Sequence, residues 1–401
     1  MKAFLTFILC SWYLPGNAQR CTTASSGNIP ALMSIETPVT ANNGRDTVTD
    51  EVIVVPVVIH VLYHMKDENI SDDQIFSQIE SLNKDFRRRN EDAENTPIPF
   101  QQFAADSRIV FCLAKVDPKG RHTTGIIRKY TKDQYWLSDD EMKFSSKGGD
   151  DAWDASKYLN IWVCNLFGRT LGYGVFPGGP PEKDGLVIQY NVFGTRGNLK
   201  ASFNKGRTVT HETGHWLGLK HLWGDASCGD DGIFDTPQQQ TSNTFCPPFP
   251  HKSICSPNEN GDMFMNFMDF TDDACMNLFT RGQKIAMRSQ FAAGHPRNSI
   301  LQSNVCDSSL ATGAPIPEEP GINSTTISIY PNPFTSEIIV QSEDASITGK
   351  VLELFDITGK RYISQKIASL KTTILADHLR PGIYLIKISG NKKTEVYKVI
   401  K

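Results

Sequence analysis

The chain has 401 residues, 39% of them hydrophobic and 21% charged, enough for a well-buried core and for two or three domains. Lysine and arginine total 41 against 44 aspartates and glutamates, a formal net charge of -3 with no long basic stripe, so nucleic acid is not an expected partner. Beyond the N-terminus no stretch approaches ~18 uninterrupted apolar residues, so no transmembrane segment is expected in the mature chain.

The chain opens "MKAFLTFILCSWYLPGNAQRC", with a lysine, an apolar run from Ala3 to Leu14, and Gly16 and Ala18 spaced for signal-peptidase cleavage. A signal peptide over residues 1–18 is predicted. The alternatives, a buried strand or a short anchor, fit less well because the run is too short to span a bilayer and ends at Pro15-Gly16. Residues 19–44 are rich in Thr, Ser, Asn and Gly without sustained periodicity and read as a propeptide or flexible arm. "VIVVPVVIHVLYH" (Val52 to His64) reads as a strand buried on both faces. Ser71 is then a helix N-cap, with Ile75, Ile79, Leu82 and Phe86 at helical spacing behind it. "RIVFCLAKVD", "LNIWVCNL" and "DGLVIQYNVF" supply further strands, so residues 45–306 form a mixed α/β domain. Residues 307–326, rich in Pro, Ser, Thr and Gly, read as a linker, and residues 327–401 show recurring short strands and turns that predict a small all-β, Ig-like sandwich.

The chemistry is concentrated in "HETGHWLGLKH", His211 to His221. On a helix His211 and His215 are one turn apart on one face, and both imidazoles can point at one ion. Glu212 lies beside that face, within reach of a water at the metal without being a ligand. A continuing helix would turn His221 away, so the helix must end first, and Gly218 is the residue that can take the left-handed turn. Three imidazoles and one open position are the set of a catalytic zinc. Zinc there polarises a peptide carbonyl and acidifies the attacking water, while Glu212 takes the proton and delivers it to the leaving amine. HExxH alone arises by chance on amphipathic helices; the glycine and third histidine at fixed offsets make coincidence far rarer.

Nine cysteines fit export. Cys10 leaves with the signal peptide. Cys228, Cys246, Cys255 and Cys275 crowd together after the histidines and permit three pairings.

"HETGHWLGLKH" followed by "NFMDF" (Asn266 to Phe270) resembles the metzincin pattern, in which Met268 is the Met-turn residue beneath the zinc histidines. "HLWGDASCGDDGIFDTP" and "NFMDFTDDACMNLFTRGQ" are similar, more narrowly, to the pappalysin (cytophagalysin) family of metzincins. The resemblance covers most of residues 52–292. It implies a secreted zinc endopeptidase with an upper α/β and a lower disulfide-stabilised subdomain, acting on proteins or peptides. It also implies Cys228 paired with Cys255, Cys246 with Cys275, and structural calcium in the loop holding Asp230, Asp231, Asp235 and Thr236, all hard oxygen donors. Relatives favour a basic residue just after the scissile bond, for which Asp272 and Asp273 offer negative charge, although Ala274 stands where an acidic residue is expected. Family members usually carry a tyrosine two residues after the Met-turn methionine; here Phe270 has no O–H for the oxyanion. Cys21 is, by the same resemblance, the candidate zinc ligand of a cysteine-switch zymogen; the other readings are an unpaired thiol or a disulfide to Cys306.

"YPNPF", "LFDITGKRY", "LRPGIYLIKI" and "YKVIK" resemble, as a series, the C-terminal sorting domain of type IX secretion. That implies the type IX secretion machinery as partner and a chain exported through the outer membrane, then released or attached at the cell surface. The other reading of the tail is a substrate-binding appendage. A surface binding or adhesion protein on a disabled metzincin scaffold is the functional alternative, supported by Phe270 and opposed by the intact Glu212.

Overall fold

A computed structural model of the chain describes residues 19–21, 51–256, 259–312, 327–342, 345–356, 359–390 and 394–401. The predicted signal peptide, the segment from residue 22 to 44, and the linker from residue 313 onward lie outside the described residues. The chain divides into two compact units, Met1–Ala314 and Pro315–Lys401.

The first unit is built on one sheet. Its strands are β1 (Gln19–Cys21), β2 (Ile53–Tyr63), β3 (Ile109–Leu113), β4 (Ile126–Tyr130), β5 (Leu159–Cys164), β6 (Thr170–Gly174) and β7 (Leu186–Gln189), in the order β1-β6-β7-β5-β2-β3, with β4 also paired to β2. β2 is the central strand: β3 pairs with its first half, β4 with its second, and β5 with its middle on the other side, all in parallel. From Val55 to Leu62 it is buried throughout, as a strand covered on both faces must be. β6 runs antiparallel to β7, and β1 adds to β6 in parallel, Cys21 opposite Gly172.

The helices are α1 (Asp72–Phe86), α2 (Ile98–Gln101), α3 (Arg207–Trp216) and α4 (Arg281–Ser289). The Ser71 hydroxyl accepts from the Gln74 N–H at 3.1 Å and caps α1, whose Ile75, Leu82 and Phe86 are fully buried. α1 packs on β3 and beside α3; α3 packs on β6 and β7. The mixed α/β architecture is as expected, with two differences. β4 was not expected, because "IIRKY" is only partly buried and mixes charge with apolar residues. The tripeptide β1 falls in the predicted flexible arm; its extended form comes from pairing with β6, which no local pattern encodes.

Disulfides join Cys228 to Cys255, Cys246 to Cys275 and Cys112 to Cys306. The third excludes Cys306 as a partner of Cys21 and ties β3 to the end of this unit, 194 residues away. Cys164 is a buried thiol whose ionisation burial opposes strongly.

The second unit is all β. One sheet has the order β11-β10-β13-β14, from Arg361–Lys366, Val351–Asp356, Ile383–Ser389 and Thr394–Ile400; the other has β12-β9-β8, from Lys371–Leu375, Glu337–Gln341 and Ser328–Tyr330. Ile338, Val340, Leu352, Leu354, Ile386 and Ile388 form its core at alternate strand positions, the pattern of a small sandwich.

Candidate active site

α3 carries the histidine motif, and all ten of its residues are buried. At its N-terminus the Asp273 carboxylate accepts from the Lys205 and Arg207 N–H groups, at 2.8 and 3.2 Å, putting negative charge at the positive end of the helix. Arg207 reaches Asp92 (2.6 Å) and Asp85 of α1 (3.4 Å), joining the two helices. Asp273, expected near the substrate pocket, is fully buried and caps this end of the helix.

The helix ends at Trp216, and Gly218 has the left-handed φ of +89° that swings the chain so that His221 returns to the other two histidines. His215 Nε2 lies 3.1 Å from His211 Nε2 and 3.0 Å from His221 Nε2. Each opposite nitrogen has an acceptor: Phe267 O for His211 and Leu219 O for His215, both at 2.7 Å, and Asp225 Oδ1 for His221 at 2.5 Å. Protons thus placed on Nδ1 leave three Nε2 lone pairs converging on one point. Burial, with His221 adjacent, holds His215 well below the usual imidazole range, so it is neutral.

Cys21 completes the set. Its sulfur and the three imidazole nitrogens all lie within 4.8 Å of one another, and all four residues are buried. Three imidazoles and a thiol around one point suit zinc in tetrahedral coordination, so the donors present fit the ion that the motif implies. Cys21 Sγ also donates to Glu212 Oε2 at 3.4 Å.

Met268 is fully buried beneath α3. A Cβ on Gly214 would stand 2.4 Å from Met268 Sδ, which explains why the helix carries glycine between its histidines. The neighbouring Phe267 supplies the carbonyl that orients His211, and Asn266 exchanges amide hydrogen bonds with Gln283 of the α4 capping box, at 2.9 and 3.0 Å. Phe270 is half-buried, its ring 4.9 Å from that of His221 and 5.0 Å from that of Trp223. Asp272 is half-buried after the Met-turn.

The expected calcium donors divide. Asp231 accepts from the Thr236 hydroxyl at 2.8 Å and the Ile233 N–H at 3.0 Å, and Asp230 from the Gly232 N–H at 2.7 Å. Asp235 instead accepts from the Thr280 hydroxyl (2.6 Å) and the Gly282 N–H (2.9 Å) at the start of α4. Its two oxygens contact the start of that helix.

Sequence reasoning missed Asp225, Trp223 and Asp269. Trp223 stacks on His221 at 4.5 Å with an interplanar angle of 3°. Asp269, fully buried, accepts from Gln239 Nε2, Asn243 N, Asn243 Nδ2 and Phe270 N at 2.7 to 3.0 Å and so fastens the disulfide-rich loop to the Met-turn. Their only sequence signal was proximity to the motifs: Asp225 and Trp223 meet His221 outside any regular element, and Asp269 meets Gln239 and Asn243 from 26 to 30 residues away.

A family model described as "Pregnancy-associated plasma protein-A" matches residues 144–292, and one described as "Secretion system C-terminal sorting domain" matches residues 328–401. An extracellular metalloprotease of Verticillium alfalfae is 30% identical over 258 residues, covering 62% of this chain and 80% of that protein. The chain belongs to the pappalysin family. Extracellular metalloprotease 1 of Coccidioides posadasii is 31% identical over 261 residues, 60% of this pappalysin and 79% of that protein. Among solved structures, mirolysin in complex with "compound 9" is 47% identical with a TM-score of 0.63, covering 66% of this pappalysin and 100% of that chain. Mature mirolysin of Tannerella forsythia with a cleaved peptide is 46% identical at the same TM-score, covering 66% and 99%, and a promirolysin mutant is 46% identical, covering 66% and 87%. This pappalysin is a metalloprotease, and its sorting tail and extracellular relatives place it among proteins exported to the cell surface or beyond.

Proposed function

We propose that the protein is a zinc endopeptidase made as a latent precursor, in which His211, His215 and His221 hold the ion, Glu212 is the general base and Cys21 is the lock. The observation that carries this reading is the convergence of three Nε2 atoms and the Cys21 sulfur on one point, with the Glu212 carboxylate beside it. Zinc, when bound, supplies Lewis acidity to the scissile carbonyl and to the attacking water. Glu212, held on the rigid helix α3, takes the water's proton and passes it to the departing amine nitrogen.

Strand β6, whose last four residues open the stretch Leu171 to Pro177, borders α3, and Phe176 just beyond it lies 5.4 Å from the His215 ring. An extended peptide adding to this edge would pass the histidines, and β1 occupies the same edge in the precursor. Removal of the segment that carries Cys21 would therefore free both the edge and the fourth position at the metal. In this reading residues 1–18 are the leader, 19–44 the pro-segment, 45–306 the catalytic domain, 307–326 the linker and 327–401 the sorting domain read by the type IX machinery.

Two finer assignments belong to the same reading. A basic residue is preferred after the scissile bond, with Asp272 and Asp273 as the acidic groups that follow the Met-turn. Calcium stabilises the 230–236 loop through Asp230, Asp231, Asp235 and Thr236, since burial beside Asp230 and Asp235 pushes the Asp231 carboxyl up to about 7 and a cation would relieve that cost.

The test is cleavage of a mixed peptide library by the processed enzyme, with and without a zinc chelator, the products sequenced by mass spectrometry. Chelator-sensitive cuts before basic residues are expected. Zinc-loaded, folded enzyme that cleaves nothing would favour the binding-scaffold alternative, to which Phe270 lends its support.

A further inference from the structure

We infer that Asp225 is a positioning residue for the third zinc ligand, His221, and that it sets how firmly the site holds the ion. The inference rests on the zinc reading above. His211 and His215 are oriented by the helix that carries them, and their Nδ1–H groups donate to backbone carbonyls. His221 lies past the end of α3, in a stretch with no helix or strand, so no regular backbone orients its ring.

Side-chain contacts do so instead, among them the edge-on Phe270 ring at 4.9 Å. Trp223 stacks on one face of the imidazole, and Asp225 Oδ1 accepts from its Nδ1–H at 2.5 Å. His221 is the one ligand of the three whose recorded Nδ1 acceptor is a side-chain carboxylate. To reach back four residues, Asp225 adopts a left-handed φ of 58°, a conformation that is costly for a residue with a side chain unless something compensates. The charge-assisted bond to His221 supplies that compensation. With the proton held on Nδ1, the Nε2 lone pair faces the metal point, and an anionic acceptor makes the imidazole a stronger donor than a carbonyl does.

Asp225 is also open to solvent in a way the two carbonyls are not. Its side chain is 25% exposed, and with Trp223, Ala226, Ser227, Gln240 and Thr241 it lines a cavity of about 220 Å³. The carboxylate thus stands between this cavity and a ligand of the metal.

The test is the zinc dissociation constant of the full chain, measured by chelator competition for wild type, Asp225→Ala and Asp225→Asn, with the absorption spectrum of each cobalt-substituted protein. Asp225→Ala is expected to weaken zinc by roughly 10–100-fold and to shift the cobalt bands. Asp225→Asn, whose amide oxygen still accepts from Nδ1–H, is expected to recover part of that loss. An Asp225→Ala chain with wild-type zinc affinity and spectrum would overturn the inference. So would a lowered unfolding midpoint of the metal-free variant with zinc affinity unchanged, which would mark a purely structural role. A wild-type chain that binds no zinc would instead overturn the zinc reading, and this inference with it.

Discussion

Cys21 Sγ lies 3.4 Å from Glu212 Oε2, so the residue that completes the metal donors also contacts the carboxylate assigned as general base. One side chain on a three-residue strand thereby reaches both parts of the proposed catalytic machinery. Replacing it should separate latency from fold: Cys21→Ser is expected to raise the activity of the unprocessed chain toward that of the processed enzyme. Equal activity before and after processing in the wild type would remove the lock from the argument.

Glu212 is buried and has no place among the metal donors. Glu212→Gln should therefore leave zinc stoichiometry and the unfolding midpoint near wild type while kcat falls by roughly 10²–10⁴, the contribution of a positioned acid–base group. Zinc content by mass spectrometry alongside kcat would check both halves; full activity would sink the assignment.

The contact between Gly214 and Met268 leaves no room for a methyl group. Gly214→Ala is expected to destabilise the catalytic unit by about 1–3 kcal/mol, despite alanine's better helix propensity. Met268→Leu, which keeps the volume, should cost less than about 1.5 kcal/mol. Urea unfolding of both variants measures the difference, and a neutral Gly214→Ala would show that Met268 yields easily.

Phe270 packs its ring against His221 and Trp223, where a phenol hydroxyl would extend the same ring. Phe270→Tyr is expected to raise kcat with little change in KM, by up to roughly 10²-fold, the lower end of what one oxyanion donor contributes. Unchanged kcat would mean that the added O–H does not reach the developing charge.

Asp231 connects stability to pH and, under the proposed calcium assignment, to that ion. Its folded-state pKa of about 7 lies above the unfolded value of roughly 3.9, so the native chain binds the proton more tightly. Its contribution to stability is therefore complete below pH ~4 and is lost as the pH rises through about 7, on the order of a few kcal/mol in all. Without calcium, Asp231→Asn should flatten that decline. With calcium, the wild type should recover stability above pH ~7, where the carboxylate is ionised. Thermal midpoints between pH 4 and 8, with and without Ca²⁺, read both effects; no response to Ca²⁺ would leave the loop without its ion.

The sequence by itself determined the elements whose information is local or periodic. The buried run of β2, the α1 face behind Ser71, the helix that pairs His211 with His215 and the stop near Gly218 all follow from spacing and backbone preference. The tertiary structure alone decided which distant groups meet. β1 is extended because β6 offers an edge, and Cys112 finds Cys306 across 194 residues; Asp225 and His221 are only four residues apart, but the left-handed bend that joins them follows no periodicity. It also set the Asp273 and Asp235 carboxylates against N–H groups at helix N-termini, contacts that no local pattern announces. Residue type states what a side chain can bind; long-range packing selects the partner from the whole chain.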